Sequence, residues 1–204
     1  MARLAEKFFL RDTVETARDL LGRYLVRQAD GEIMIVRITE TEAYVGAVDK
    51  ACHAYGGRRT ARTEILYGAP GTAYVYLIYG MYCCLNFVTE PEGVASAVLI
   101  RGCAPVYNAD AMARHRFGIP AAEMTPYQRK NFLNGPGKLC KALSIDRSLN
   151  SLPLGDDRLY LADELPEYGL SPQTLAPPVH VGKRIGIDYA QEAVDFPWRF
   201  WVNQ

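Results

Sequence analysis

The chain has 204 residues, 49% of them hydrophobic, and 23 basic residues balance 23 acidic ones to a formal net charge of zero. That length supports one well-buried core without demanding a second, no apolar stretch approaches the roughly 20 residues that cross a bilayer, and neutrality argues against coating nucleic acid through overall basicity. The N-terminal Met1-Ala2-Arg3-Leu4-Ala5-Glu6-Lys7 lacks the basic-then-apolar order of a secretory signal, so a soluble, cytoplasmic, single-domain protein over residues 1–204 is expected.

Asp12-Thr13-Val14-Glu15 has the spacing of a capping box, and Val14, Ala17, Leu20 and Leu21 follow at helical spacing, which predicts a first helix ending near Gly22. Tyr24 to Arg27 and Glu32 to Ile38 flank Asp30-Gly31, a pair that favours a tight hairpin turn. The apolar run over 33–38 leads into Thr39 to Tyr44; if that stretch stays extended, alternation puts Glu40, Glu42 and Tyr44 on one face. Strands follow at about 73–79, 82–88 and 95–101, with Gly80 as the corner of a hairpin carrying Tyr74, Tyr76, Tyr79 and Tyr82. Residues 105–117 and 126–146 read as helices, the second interrupted at Gly135-Pro136-Gly137, and the tail holds two strands near 158–161 and 198–202. Short joins between strands favour antiparallel pairing. The expected fold is α/β of the mixed α+β kind: one compact domain with a curved, mostly antiparallel sheet, surrounding helices and a protruding β-hairpin.

The five cysteines, Cys52, Cys83, Cys84, Cys103 and Cys140, form no CxxC pair, so they read as reduced and mostly buried. Charge is uneven along the chain. Residues 101–150 carry eight Lys/Arg against three acids, whereas residues 151–204 carry four against eight. Basic clusters at Arg58, Arg59 and Arg62, at Arg114 and Arg116, and at Lys138 with Lys141 suit phosphate contacts, although any one of them is more often a solvated face. Glu42 beside Tyr44 in an apolar surround suits a base with a raised pKa, against the plain reading of an exposed strand carboxylate. His53 is by base rate a hydrogen-bonded structural residue, and the hairpin tyrosines are by base rate packing residues. Asn86 and Arg101, polar groups on flanking strands, mildly favour a site. A carboxylate among many rings points to a planar ligand.

Several unconnected motifs share one further property. Glu42-Ala43-Tyr44, His53 with Gly56-Gly57-Arg58, the run from Gly71 to Tyr82 ending at Asn86, Leu99-Ile100-Arg101, and Gly135 to Leu143 together resemble the alkyladenine (3-methyladenine) DNA glycosylase family, in order from about residue 8 to 202. The helix-hairpin-helix motif of other glycosylases is absent from the sequence. The segment from Gly182 to Ile187 also resembles the family, where a nearby backbone group helps bind the water.

The resemblance implies a DNA repair enzyme that flips damaged purines out of duplex DNA and hydrolyses the N-glycosidic bond, leaving an abasic site. Its substrates would be 3-methyladenine, 7-methylguanine, hypoxanthine and ethenoadenine, in an order the sequence does not rank. By the same resemblance Glu42 activates the water with Arg101 as its partner, while Tyr44, His53, Tyr76 and Asn86 form the base pocket. Asn86 would crowd the exocyclic amine of normal guanine. Tyr79 would be the wedge that fills the vacated stack, and Arg58, Thr60 and Arg62 would contact the DNA backbone. No metal or organic cofactor is implied, and a monomer acting on double-stranded DNA, nucleoid-associated in a bacterium, is expected. No β-lyase step is expected, with Lys50 the one lysine left open. Two other readings stay open from the residues: a noncatalytic module that binds damaged duplexes, which leaves Glu42 without a task, and a nucleoside N-glycosidic hydrolase, which leaves Tyr79 and the basic clusters without one.

Overall fold

Strand β3 (Glu32–Val45) is the spine of the molecule, and its fourteen residues explain most of the architecture. The computed structural model describes residues 2–172 and 178–203. The first half of β3 pairs with β2 (Tyr24–Ala29) across an Asp30-Gly31 turn in which both residues have positive φ, 52° and 77°, as a two-residue type I′ hairpin requires. Its length also pairs with β6 (Ser96–Tyr107), which continues to β5 (Tyr82–Thr89) and β4 (Ala73–Ile78). The short strands β1 (Ala2–Arg3) and β7 (Leu159–Glu164) extend the β2 edge, and β8 (His180–Gly182) pairs β9 (Arg199–Trp201), which pairs β3 at Glu40 to Glu42. Every pairing among the described residues is antiparallel, in the order β1-β7-β2-β3-β6-β5-β4.

Side-chain alternation divides the sheet into two working faces. Ala43, Val75, Leu85, Phe87, Val98 and Ile100 enter the main core, where α2 (Thr13–Asp19), α3 (Ala109–Phe117) and α5 (Pro136–Ala142) cover them. The alternate residues Tyr44, Tyr74, Tyr76, Val88 and Ala97 face the other way, against Cys52, Ala54 and Leu66 from the loop after β3. Helices therefore close one face, and irregular chain closes the other. Among the described residues no helix is long and apolar enough to cross a membrane.

The mixed, mostly antiparallel fold expected from the sequence is the one observed, with corrections in its parts. Residues 105–107, expected to begin a helix, remain in β6 because Pro105 and Tyr107 stay paired with Val36 and Ile35. Asn108 then turns the chain with φ 58° and caps α3 through its side chain, which accepts from the Ala111 N–H. The helical stretch expected over 126–146 is interrupted before Pro136, as the Gly135-Pro136-Gly137 run suggested, but its parts are shorter than expected: α4 (Pro126–Lys130), with a Thr125–Gln128 capping box, and α5. Pro136 explains the break, since it offers no amide and its ring clashes with the preceding turn of any continuous helix. The very short β1, β8 and α1 (Glu6–Phe9) carry too few residues for periodicity to reveal. All five cysteines are free, and four are buried.

Candidate active site

The face of the sheet covered by irregular chain carries a cavity of about 550 Å³. Alternate strand residues supply its floor: Tyr44 from β3, Tyr74 and Tyr76 from β4, Cys84 and Asn86 from β5, Leu99 and Arg101 from β6. The walls come from His53 and Arg62 in the loop after β3 and from Ile185 to Ile187 and Tyr189 in the loop after β8.

Glu42 lies beneath this floor with no solvent exposure. Tyr44 Oη donates to its Oε2 at 2.8 Å, the Ile185 backbone N–H donates to Oε1 at 2.9 Å, and Arg101 Nε stands 3.5 Å from Oε1. Burial raises the Glu42 pKa, and Arg101, the Ile185 amide and the Tyr44 hydroxyl oppose that rise by favouring the charged form. Burial, and then the charge of Glu42, likewise hold the Tyr44 hydroxyl well above its ordinary pKa, so it stays a donor. The result is a carboxylate in a low-dielectric setting whose acid form is easier to reach than usual. A group of that kind suits general base work near neutrality.

Arg101 divides its attention. Its Nε donates to Glu40 Oε1 at 3.0 Å, closer than its approach to Glu42, and Arg199 Nε donates to the same Glu40 oxygen at 2.7 Å. Glu40 is therefore the short-range partner of Arg101, a role the sequence did not assign to it.

His53 stands edge-on to Tyr76, with ring centroids 4.7 Å apart and planes at 76°. Arg62 Nη2 meets His53 Nε2 at 3.3 Å, and since a guanidinium only donates, Nε2 accepts. The proton then sits on Nδ1, which donates to Tyr74 Oη at 2.9 Å. Burial, with Arg62 beside it, lowers the His53 pKa to about 4, so the ring is neutral at pH 7. Arg62, expected at the DNA backbone, thus lines the cavity, with its guanidinium 4.9 Å from the Tyr76 ring centroid. Arg58 and Thr60 lie outside the cavity on the exposed part of the same loop. Asn86 is buried on the cavity floor, its Nδ2 donating to the Tyr74 carbonyl at 3.1 Å. Cys84 is buried nearby, and burial pushes its thiol up to about 11.

Tyr79 occupies the tip of the β4–β5 hairpin at the mouth of the cavity, 85% exposed. Tyr79 and Gly80 both have positive φ, 50° and 70°, and Met81 N–H closes the turn on the Ile78 carbonyl. The backbone conformation holds this large apolar ring out in solvent, where packing gives it no support.

Sequence reading missed the pair that underlies Tyr44. Arg184 and Asp49, both side chains fully buried, form a two-pronged ion pair at 2.5 and 2.8 Å, and the guanidinium lies 4.8 Å from the Tyr44 ring centroid. They stand 135 residues apart, so no local spacing could have paired them.

A family model described as methylpurine-DNA glycosylase (MPG) matches residues 7–204. A protein of Clostridium perfringens (strain 13 / Type A) is 48% identical over 98% of this chain and 96% of its own length. One of Desulfitobacterium hafniense (strain Y51) is 47% identical over 100% and 96%, and one of Clostridioides difficile (strain 630) is 44% identical over 98% and 100%. All three carry the provisional name 3-methyladenine DNA glycosylase. The likeness runs through nearly the whole chain: it belongs to the methylpurine-DNA glycosylase family.

Proposed function

We propose that the protein is a monofunctional 3-methyladenine DNA glycosylase that flips a damaged purine out of duplex DNA and hydrolyses its N-glycosidic bond with a water activated by Glu42. The observation that carries this reading is the fully buried Glu42 carboxylate beneath the floor of an aromatic cavity, bonded to the floor residue Tyr44, with an exposed ring, Tyr79, at the mouth.

A purine inside a duplex is out of reach of any pocket, so the nucleotide must leave the stack, at a cost of roughly a few kcal/mol. Tyr79 fills the gap it leaves, as an apolar wedge entering from the minor groove. The flipped base lies against Tyr44 on one side and His53 with Tyr76 on the other, and stacking contributes about 1–3 kcal/mol per base. Glu42 accepts a proton from water as the oxygen bonds to the anomeric carbon, and the electron pair of the breaking C–N bond goes to the base. A cationic alkylpurine leaves as a neutral molecule. Neutral hypoxanthine needs a proton or a strong hydrogen bond, and the neutral His53 offers no acid for that purpose. Arg101 offsets the charge of Glu42 while Glu40 holds Arg101 in place. Asn86, fixed by its bond to Tyr74, rejects the exocyclic amine of guanine by crowding. Arg58 and Thr60 grip the bent backbone without reading sequence. Lys50 is a poor candidate for a lyase nucleophile: its ammonium is tied to Gln191 and Glu192, and the bond to Glu192 raises its pKa.

The test is base release from duplexes carrying hypoxanthine or methylated purines, set beside hydrolysis of the free nucleosides. Release confined to the duplex, with an abasic site as product and no strand cleavage, is expected. Binding without release would make the protein a recognition module, and equal hydrolysis of free nucleosides would make it a nucleoside hydrolase.

A further inference from the structure

We infer that the buried Asp49–Arg184 pair is a positioning device for Glu42, locking together β3 and the loop at Ile185, the two segments that donate the short hydrogen bonds to its carboxylate; this rests on the reading of Glu42 as the base.

Each arm of the pair is tied to one of those segments. Arg184 precedes Ile185, whose N–H holds Glu42 Oε1, so fixing the guanidinium fixes that donor. Its Nη1 donates to the Ala43 carbonyl at 2.8 Å, between Glu42 and Tyr44, and its Nη2 to the Ala193 carbonyl at 3.2 Å. The guanidinium is sandwiched between the Tyr44 ring at 4.8 Å and the Trp198 ring at 5.1 Å, so the Tyr44 ring cannot retreat from the cavity. Asp49 in turn accepts from the Val45 and Ala51 amides, bracing the loop that leads to His53. One ion pair thus sets both the face of Tyr44 and the position of both short hydrogen bonds to Glu42.

Stability alone explains such a pair poorly. A buried ion pair is often matched or bettered by apolar residues of similar volume, and Arg184 Nε lies buried without an acceptor among the described residues. That orphaned donor is a cost carried in return for geometry.

The groups that face Glu42 are Glu40 and Tyr44 from its own strand, Arg101 from β6, Cys84 from β5, and Arg199 through Glu40. Of these, Glu40, Arg101, Cys84 and Arg199 make no contact with Asp49 or Arg184 and keep their places when the pair is replaced, whereas Tyr44 loses the guanidinium beneath its ring. Loosening the Ile185 amide and the Tyr44 hydroxyl removes two of the interactions that favour the carboxylate, so protonation of Glu42 becomes easier.

The experiment compares Asp49→Asn, Arg184→Lys and the double variant Asp49→Leu/Arg184→Met with wild type, in single-turnover base release from a hypoxanthine duplex across pH. Thermal unfolding and lesion binding are measured alongside. Arg27→Met serves as the control, since Arg27 is a buried arginine bonded to Leu143 and Ser144 and lines no part of the cavity. In the pair variants the rate is expected to fall on the order of 100-fold, as for small misplacements of reacting groups. Their acidic limb moves to higher pH while the double variant keeps its melting temperature. The control loses stability with an unmoved limb. A wild-type limb in the pair variants would overturn the proposal, as would a rate loss that follows melting temperature equally in the control. So would unfolding of all three pair variants while the control stays folded. A wild type that releases no base from either hypoxanthine or methylated duplexes would instead overturn the proposed function.

Discussion

Tyr44→Phe isolates one hydrogen bond to Glu42. The substitution keeps the ring, its position over Arg184 and its place on the cavity floor, and deletes only the hydroxyl that lies 2.8 Å from Glu42 Oε2. A hydrogen bond to a charged, buried acceptor contributes about 1.5–3 kcal/mol, and it favours the carboxylate over the acid. Since about 1.4 kcal/mol is a tenfold change in an acid constant, the carboxylate population at a given acidic pH falls roughly 10- to 100-fold. Base catalysis uses the deprotonated form, so the single-turnover rate rises with pH through the Glu42 pKa, which burial raises. The variant should therefore trail wild type by that factor on the acidic limb and converge with it toward alkaline pH, with lesion affinity unchanged. The assay is base release from a hypoxanthine duplex with enzyme in excess, buffered across the range. An acidic limb superimposed on that of wild type, or a loss of equal size at every pH, would refute the reasoning.

Other outcomes follow from the same geometry. Tyr79→Ala removes the exposed ring at the hairpin tip, and with about 1–3 kcal/mol of stacking gone, affinity for lesion duplex should fall roughly 10- to 100-fold; unchanged activity on duplex substrate would count against the wedge. The folded-state pKa of His53, about 4, lies below the unfolded value near 6.5, so the stability it contributes is present above pH 6.5 and lost as pH falls toward 4. His53→Gln should flatten that part of the urea-unfolding profile by about 3 kcal/mol at most, and an equally steep profile in the variant contradicts the assignment. A Cβ on Gly137 would lie 2.9 Å from Tyr82 Cβ, so Gly137→Ala should cost about 1–3 kcal/mol in urea unfolding and weaken lesion binding by displacing the hairpin. Wild-type stability in that variant would show that the contact yields freely.

Much of the site was legible because its members sit close together in the chain. Glu42 and Tyr44 share a strand face by simple alternation, and the Tyr79-Gly80 turn announces itself through a glycine between aromatic runs. Long β3 and the β4–β5 hairpin were readable for the same reason: their pairing partners are near neighbours in sequence. What escaped the sequence depends on contacts across the fold. Glu40 was visible as a carboxylate, but its bonds to Arg101 and Arg199 span 61 and 159 residues. Arg184 lies in the Gly182–Ile187 segment singled out from the sequence, but its pairing with Asp49 appears only once the fold buries both. Arg62, given to the DNA backbone by the family resemblance, is exposed yet also lies against Tyr76 and His53, contacts that sequence spacing could not show. The error at residues 105–107 has the same origin, since local propensity could not register that β6 keeps its partner in β3 as far as Tyr107.

The most direct measurement is single-turnover base release by Glu42→Gln beside lesion binding by the same protein. Glutamine keeps the shape of the side chain and removes the proton acceptor. Loss of release with retained binding of the hypoxanthine duplex is the expected result. Release at the wild-type rate would contradict the role of Glu42, and with it the mechanism proposed for this site.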